Sequence, residues 1–242
     1  MDFQRSAWRL RAAALLPMLA LGLVACGDDD DDNPTEPEGP GTISEIARQD
    51  ARLTTLVAAL EAAGLDESLE TSGPFTVFAP VNEAFDERLP LGWFANLLLP
   101  ENEDILTKIL SYHVVAGAAF STDLTDGQAL TTLEGTALTV NIAGGTITIS
   151  DASGKDVDIV EADIEASNGV LHLTREIFVP ELDVVEVARI SGYSTLVSLV
   201  ETAGLTETLE GEGPFTIFAP NNLAFEGLVA PEGEALTDLL TY

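Results

Sequence analysis

His113 and His172 are the two histidines among 242 residues, and each stands between apolar neighbours. A catalytic reading would make one of them a general base, Tyr112 an acid, and a nearby carboxylate the group that orients the ring. The flanking residues point elsewhere. Tyr112 and Val114 enclose one imidazole, and Leu171 and Leu173 enclose the other. That placement suits a half-buried ring hydrogen-bonded to backbone. The sequence has no serine nucleophile elbow, no phosphate-cradling glycine loop and no His-x-x-x-His pair. A stretch starting at Asp151 opens like a calcium loop. However, Lys155 and Asp156 occupy the positions of an oxygen ligand and the turn glycine, and Ala162 replaces the bidentate Glu. No cofactor and no metal ion are implied.

The remaining reactive side chain is Cys26, the single cysteine, which excludes any intrachain disulfide. Before it, Arg5, Arg9 and Arg11 form a basic segment, and an apolar run follows from Ala12 to Ala25. That run is short for a membrane span, which needs roughly 20 residues. It ends in LVAC at 23–26, which resembles the bacterial lipobox. Residues 1–25 are therefore expected to be a lipoprotein signal peptide and Cys26 the lipidated residue. The anchored chain would face the periplasm or the cell exterior, and each buried methylene of the anchor would add about 0.8 kcal/mol. Residues 26–41 read as a disordered acidic tether, since 27–41 hold seven acids, three prolines and no apolar side chain.

The chain as a whole is strongly acidic, with 41 acidic residues against 10 basic and a formal net charge of −31. Such a surface repels phosphate backbones and anionic lipid, so nucleic acid is not an expected partner.

The elements that must position these side chains are organised around a repeat. GPFTVFAPVNEAF at 73–85 returns as GPFTIFAPNNLAF at 213–225, identical at ten of thirteen positions. Each copy reads as a Gly-Pro turn, a short strand, an Ala-Pro break and a helix started by Asn82 or Asn222. In the first copy Phe85 points inward. Upstream, Thr42 and Glu45 form a capping box. Leu53, Leu56, Val57 and Leu60 give one apolar helix face, which Gly64 ends. Residues 91–111 are helical in pattern, broken at Pro100, with Ile105, Leu106, Ile109 and Leu110 facing inward. From His113 the period changes to two, with a hairpin predicted at Gly144-Gly145 and another at Asn168-Gly169. Helices followed by antiparallel strands make an α+β domain.

The repeated opening, ILSYHVVAG at 109–117 and ADIEASNGVLHLTREIFVP at 162–180 together resemble the fasciclin (FAS1) domain. They match its two sequence blocks and the Tyr-His motif between them. The resemblance spans about 42–180 and implies a β-sandwich wedge flanked by helices, used outside cells for adhesion and matrix contacts. It also implies a partner-contact motif at Tyr112 and His113 with Ile109, Leu110, Val114 and Val115, although side chains that apolar equally suit a core. Arg175 and Glu176 reverse the acidic-then-basic order common in the family.

LVSLVETAGLTETLE at 196–210 matches LVAALEAAGLDESLE at 56–70 at nine of fifteen positions, and LLTY at 239–242 aligns with ILSY at 109–112. The expected organisation is a complete FAS1 domain at 42–180 and the N-terminal part of a second, incomplete one at 181–242. Two functional classes follow. One is an interaction module contacting extracellular or envelope proteins or polysaccharide, held to the membrane by its lipid. The other is a small-ligand or enzymatic domain with a pocket near Tyr112, His113 and His172.

Overall fold

The computed structural model describes residues 39–242 apart from 212 and 228. The expected signal peptide, Cys26 and most of the acidic tether lie outside the described residues.

Capping chemistry starts the fold. Thr42 Oγ1 accepts from the Glu45 amide at 3.2 Å and the Glu45 carboxylate accepts from the Thr42 amide at 2.8 Å, opening α1 (Ile43–Gln49). α2 (Thr54–Ala62) buries Leu56 and Leu60, with Leu53 buried just before it. α3 (Asp66–Thr71) leads to β1 (Phe75–Pro80), two residues longer than the sequence pattern suggests. Then come α4 (Asn82–Arg88), α5 (Trp93–Leu97), a 3-10 turn at Pro100–Asn102 and α6 (Glu103–Ser111). α6 buries Ile105, Leu106, Ile109 and Leu110 as its periodicity requires.

The strands are β2 (Val114–Ala116), β3 (Ala129–Thr131), β4 (Ala137–Ala143), β5 (Thr146–Ser150), β6 (Asp156–Ala166) and β7 (Gly169–Thr174). They form one mixed sheet in the order β2-β1-β7-β6-β5-β4-β3, in which only β1 and β7 run parallel. The expected sandwich is thus two halves of a single sheet. Its outer strands approach each other through a bridge between Val115 and Thr132. The cause lies in β6. Its pairing slips between Ile159, Glu161 and Ile164, and Asp163 adopts φ 61°. Such irregularities bend a strand. β6 pairs with β7 over Ile159–Ala166 and with β5 over Asp156–Asp158.

Two apolar clusters result. One lies beneath the helices, where Ile43, Leu56, Leu60, Phe85, Ile109 and Leu173 meet. The other fills the curved sheet with Phe78, Tyr112, Leu138, Val140, Ile149 and Phe178. β1 feeds both, because alternate residues of a strand face opposite sides: Val77 and Ala79 enter the first cluster and Phe78 the second.

One expected hairpin holds and the other shifts. The Gly144-Gly145 hairpin is as read, with φ 60° and 86° at the two glycines. At the other hairpin the closing pair is Ala166 and Gly169, so Gly169 is a strand residue and the turn is Ser167-Asn168. Gly169 is required by close approach, since a Cβ there would lie 2.0 Å from the Phe75 carbonyl oxygen. Asn168 serves as a pin. Its Oδ1 accepts from the Ile43 amide at 2.9 Å, and its Nδ2 donates to the Leu69 carbonyl and to the Ser72 carbonyl at 3.2 Å.

Asn82 does not cap its own helix. Val81 holds the N-cap position of α4 without a side-chain bond, and Asn82 reaches instead to α2. Its Oδ1 accepts from the Thr55 amide at 2.9 Å and from Thr54 Oγ1 at 3.2 Å, and its Nδ2 donates to the Ala51 carbonyl at 2.9 Å. Leu53, at the N-cap of α2, has no capping side chain, so α2 takes its cap from a distant residue.

The second copy begins in the same way. Asp183 and Glu186 form a capping box at α7 (Val184–Ile190), followed by α8 (Ser194–Thr202) and α9 (Thr206–Leu209), with α10 (Glu234–Thr241) closing the chain. Asn222 Oδ1 accepts from the Thr195 amide at 3.1 Å, repeating the bond from Asn82 to α2. The expected second strand is absent, and 214–221 carry no regular structure. Phe218 is 92% exposed where Phe78 is 0%. In the first copy β2 and β7 satisfy the backbone of β1, and among the described residues no strand flanks 214–221. A 3-10 turn at Asn222–Phe225 replaces the expected helix, and Asn221 caps it by accepting from the Ala224 amide at 3.0 Å.

Packing against the first copy continues past residue 180. Ile190 is fully buried in the helix-side cluster, and its carbonyl accepts from Asn96 Nδ2 at 2.8 Å. Lys108 pairs with Glu186 at 3.0 Å, and Arg189 forks onto Asp104 at 2.8 and 2.9 Å.

Candidate functional site

The three motifs singled out in the sequence converge on one aromatic junction. α6 ends at Ser111, and Tyr112 and His113 follow on its last turn before β2. The last carbonyls of a helix lack intrahelical partners. His113 Nδ1 meets one of them, the Ile109 carbonyl, at 2.8 Å. Across the ring, Nε2 accepts from the Phe178 amide at 2.8 Å. An acceptor at Nε2 fixes the proton on Nδ1, so His113 is neutral and both nitrogens are occupied. Its ring stacks on Phe178 with centroids 5.1 Å apart. Phe178 in turn packs edge-on against Phe78 at 5.7 Å and Tyr112 at 6.4 Å.

His172 on β7 is held in the same manner with the nitrogens exchanged. Nε2 donates to the Ala119 carbonyl at 2.9 Å, and Nδ1 accepts from the Asp163 amide at 3.2 Å. The irregularity in β6 supplies that amide, and the Asp163 carboxylate accepts from the Ser121 amide at 2.7 Å with its Oδ1 4.0 Å from His172 Nδ1. Burial pushes His113 down to about 4, opposed by its bond to Ile109. Burial also lowers His172, opposed by its bond to Ala119. Burial raises the Tyr112 phenol, whose oxygen accepts from the Ala152 amide at 2.8 Å. A general base needs a free lone pair, and here each imidazole lone pair already receives an amide N–H.

Tyr112, His113 and His172 thus meet at one junction, and the expected half-buried histidines are fully buried. Ile109, Leu110, Tyr112, His113, Val114 and Val115 are each at most 7% exposed, which places the expected contact motif in the core. Phe85 and His172 are buried, Gly169 packs against Phe75, Asn82 and Asn168 bond distant backbone, and Asn222 repeats the Asn82 bond in the second copy.

Sequence reasoning missed a second place. A cleft of about 400 Å³ lies among Arg88, Pro90, Trp93, Ser153, Pro180 and Glu181, and neither histidine nor Tyr112 lines it. Arg88 in its lining makes an ion pair through Nη2 with Asp151. The Asp151 carboxylate is fully buried and also accepts from the Ser153 amide at 3.0 Å and the Val179 amide at 3.3 Å. Arg88 Nη1 has no hydrogen-bond acceptor among the described residues, and Glu176 Oε2 stands 3.9 Å away. The available signal was scarcity: Arg88 is one of only ten basic residues. The stretch at Asp151 that opens like a calcium loop is this buried anchor. Among the described residues no group of His, Cys, Asp or Glu is placed to hold a metal ion, and no helix is long and apolar enough to cross a membrane.

Comparison with known proteins places this geometry. The protein sll1483 of Synechocystis sp. is 43% identical over 141 residues, covering 58% of this chain and 74% of that protein. Transforming growth factor-beta-induced protein ig-h3 of Sus scrofa is 36% identical over 186 residues, covering 76% of this chain but 26% of that protein. A solved FAS1 domain pair from the insect cell adhesion molecule fasciclin I aligns with a TM-score of 0.41 at 16% identity, over 69% of this chain and 59% of that one. The family model described as the fasciclin domain matches residues 51–180 and 191–242. The first match takes in all of the strands and the whole junction of Phe78, Tyr112, His113, His172 and Phe178, and this chain belongs to the fasciclin domain family.

Proposed function

We propose that the protein is an adhesion module, displayed at the cell envelope by a lipid on Cys26 and an acidic spacer, that contacts extracellular proteins or matrix polysaccharide. Fasciclin domains occur in cell-adhesion and matrix proteins, and this chain carries the family's fold. One observation carries the choice over an enzyme: both imidazoles at the motif junction are locked neutral, with every ring nitrogen engaged by backbone. Tyr112, His113 and His172 then serve as a polar clasp that ties the end of α6 to Phe178 and Ala152, and β7 to β6 and Ala119, and the outer surface is free for contacts. The match at 191–242 and the repeated pin at Asn222 support reading 181–242 as part of a second fasciclin domain.

Crosslinking on living cells, with recovery through the tagged full chain, tests the reading. Recovery of specific extracellular proteins or glycans is expected, and none above an untagged control would refute it. The anchor has its own test. Mass spectrometry of the membrane-extracted chain should show acylated Cys26, and Cys26→Ala should release or stall the protein. An unmodified mature cysteine would rule out the anchor.

A further inference from the structure

The cleft beside Arg88 is open, partly aromatic and unused by the junction. Trp93, half-buried, forms one wall, and Pro90, Val179 and Pro180 supply apolar surface around it. Its charges are unevenly matched. Arg88 is paired with Asp151, and Lys155 with Glu176, whereas Glu181 is exposed and makes no ion pair or hydrogen bond among the described residues. One uncompensated carboxylate therefore shares a cleft with an indole, on a chain of net charge −31. An indole face and a carboxylate together select an ammonium group on an apolar stem, and a strongly acidic surface steers cations toward it.

We propose that this cleft binds a lysine side chain of an extracellular protein partner, with its methylenes along Trp93 and the prolines and its ammonium at Glu181. The assignment rests on the reading of the chain as an interaction module and names one of its contacts. Arg88 keeps one N–H, at Nη1, without an acceptor among the described residues, but Asp151 offsets its charge and Glu176 offsets that of Lys155. With Glu181 the cleft therefore stays net negative, and acidic peptides and uronic-acid polymers are disfavoured.

Trp93 makes the test direct, since Trp8 is the only other tryptophan. In the full chain carrying Trp8→Phe, indole emission is followed while tetralysine is added at low salt. A saturable shift is expected, absent with Nε-acetylated tetralysine and weakened about fivefold by Glu181→Gln, the loss of one charged contact. Glu165→Gln, an exposed acid away from the cleft, should leave it unchanged. No shift, an equal response to the acetylated probe, or equal weakening by the two acid substitutions would overturn the assignment. A response to a glucosamine oligomer with none to tetralysine would also overturn it, in favour of a glycan. Partner recovery on cells that persists in Glu181→Gln would remove this cleft from the contact and leave the module reading standing.

Discussion

Asn82 Oδ1 lies 2.9 Å from the Thr55 amide nitrogen, so the residue that opens α4 caps α2, 27 positions earlier in the chain. A side-chain cap contributes about 0.5–2 kcal/mol. This one also orders the α2–α4 contact and donates to the Ala51 carbonyl. Asn82→Ala should therefore cost about 2 kcal/mol, the top of that range. Asn82→Asp should not rescue it, because a carboxylate keeps the acceptor but loses the donor and faces the Ala51 oxygen. Urea midpoints for the three proteins decide the matter; an aspartate variant as stable as wild type would refute the two-sided pin.

How far this arrangement was legible in the sequence depends on the distance over which each signal acts. The box at Thr42 and Glu45, the apolar face of α6 and the Gly144-Gly145 turn are local, and their residue types suffice. Asn82 was legible as a cap because its type and position suit one, but its client is fixed only when α2 and α4 pack. The same holds for Gly169, whose need for glycine comes from Phe75 on a neighbouring strand. The second GPFTIFAP shows the converse: a strand sequence without flanking strands forms no strand. The Arg88 cleft was illegible because its walls come from three separated segments.

His113 gives the molecule an acid sensitivity with a defined sign. Its folded value of about 4 lies below its ordinary value of 6.5, so between these limits the unfolded chain binds more protons. Stability is thus full above about pH 6.5 and is lost as pH falls toward 4, by on the order of 3 kcal/mol for this ring. His172 acts in the same direction. His113→Asn should lower stability at pH 7 and flatten the dependence between pH 4 and 6.5. Urea unfolding across that window, giving the same slope for both proteins, would exclude the imidazole as the cause.

Ile190 extends the packing of the first copy beyond the family blocks. Its side chain is fully buried among residues of α5, α6 and their neighbours, beyond the boundary at 180 suggested by the family blocks. Truncating a buried Ile to Ala costs about 2–5 kcal/mol. Ile190→Ala should fall in that range in the full chain, and a 42–192 piece should melt well above a 42–180 piece. Coincident melts would place the boundary at 180 after all.

The Asp151–Arg88 pair offers the sharpest separation of charge from capping. Removing one partner of a buried pair typically costs about 3–5 kcal/mol, because the other charge is left uncompensated. Asp151→Ala is expected within that range. Replacing both partners usually restores much of the loss, since no charge remains buried. Here the carboxylate also holds the Ser153 and Val179 amides. Those donors stay buried when it is removed, at about 1 kcal/mol or more each. Arg88→Met with Asp151→Ala should therefore recover only part of the stability, leaving a deficit of about 2 kcal/mol in chemical denaturation. Full recovery would mean that the ion pair alone matters and that the loop amides find water; a double variant no better than the single one would mean that the amides carry nearly all of it.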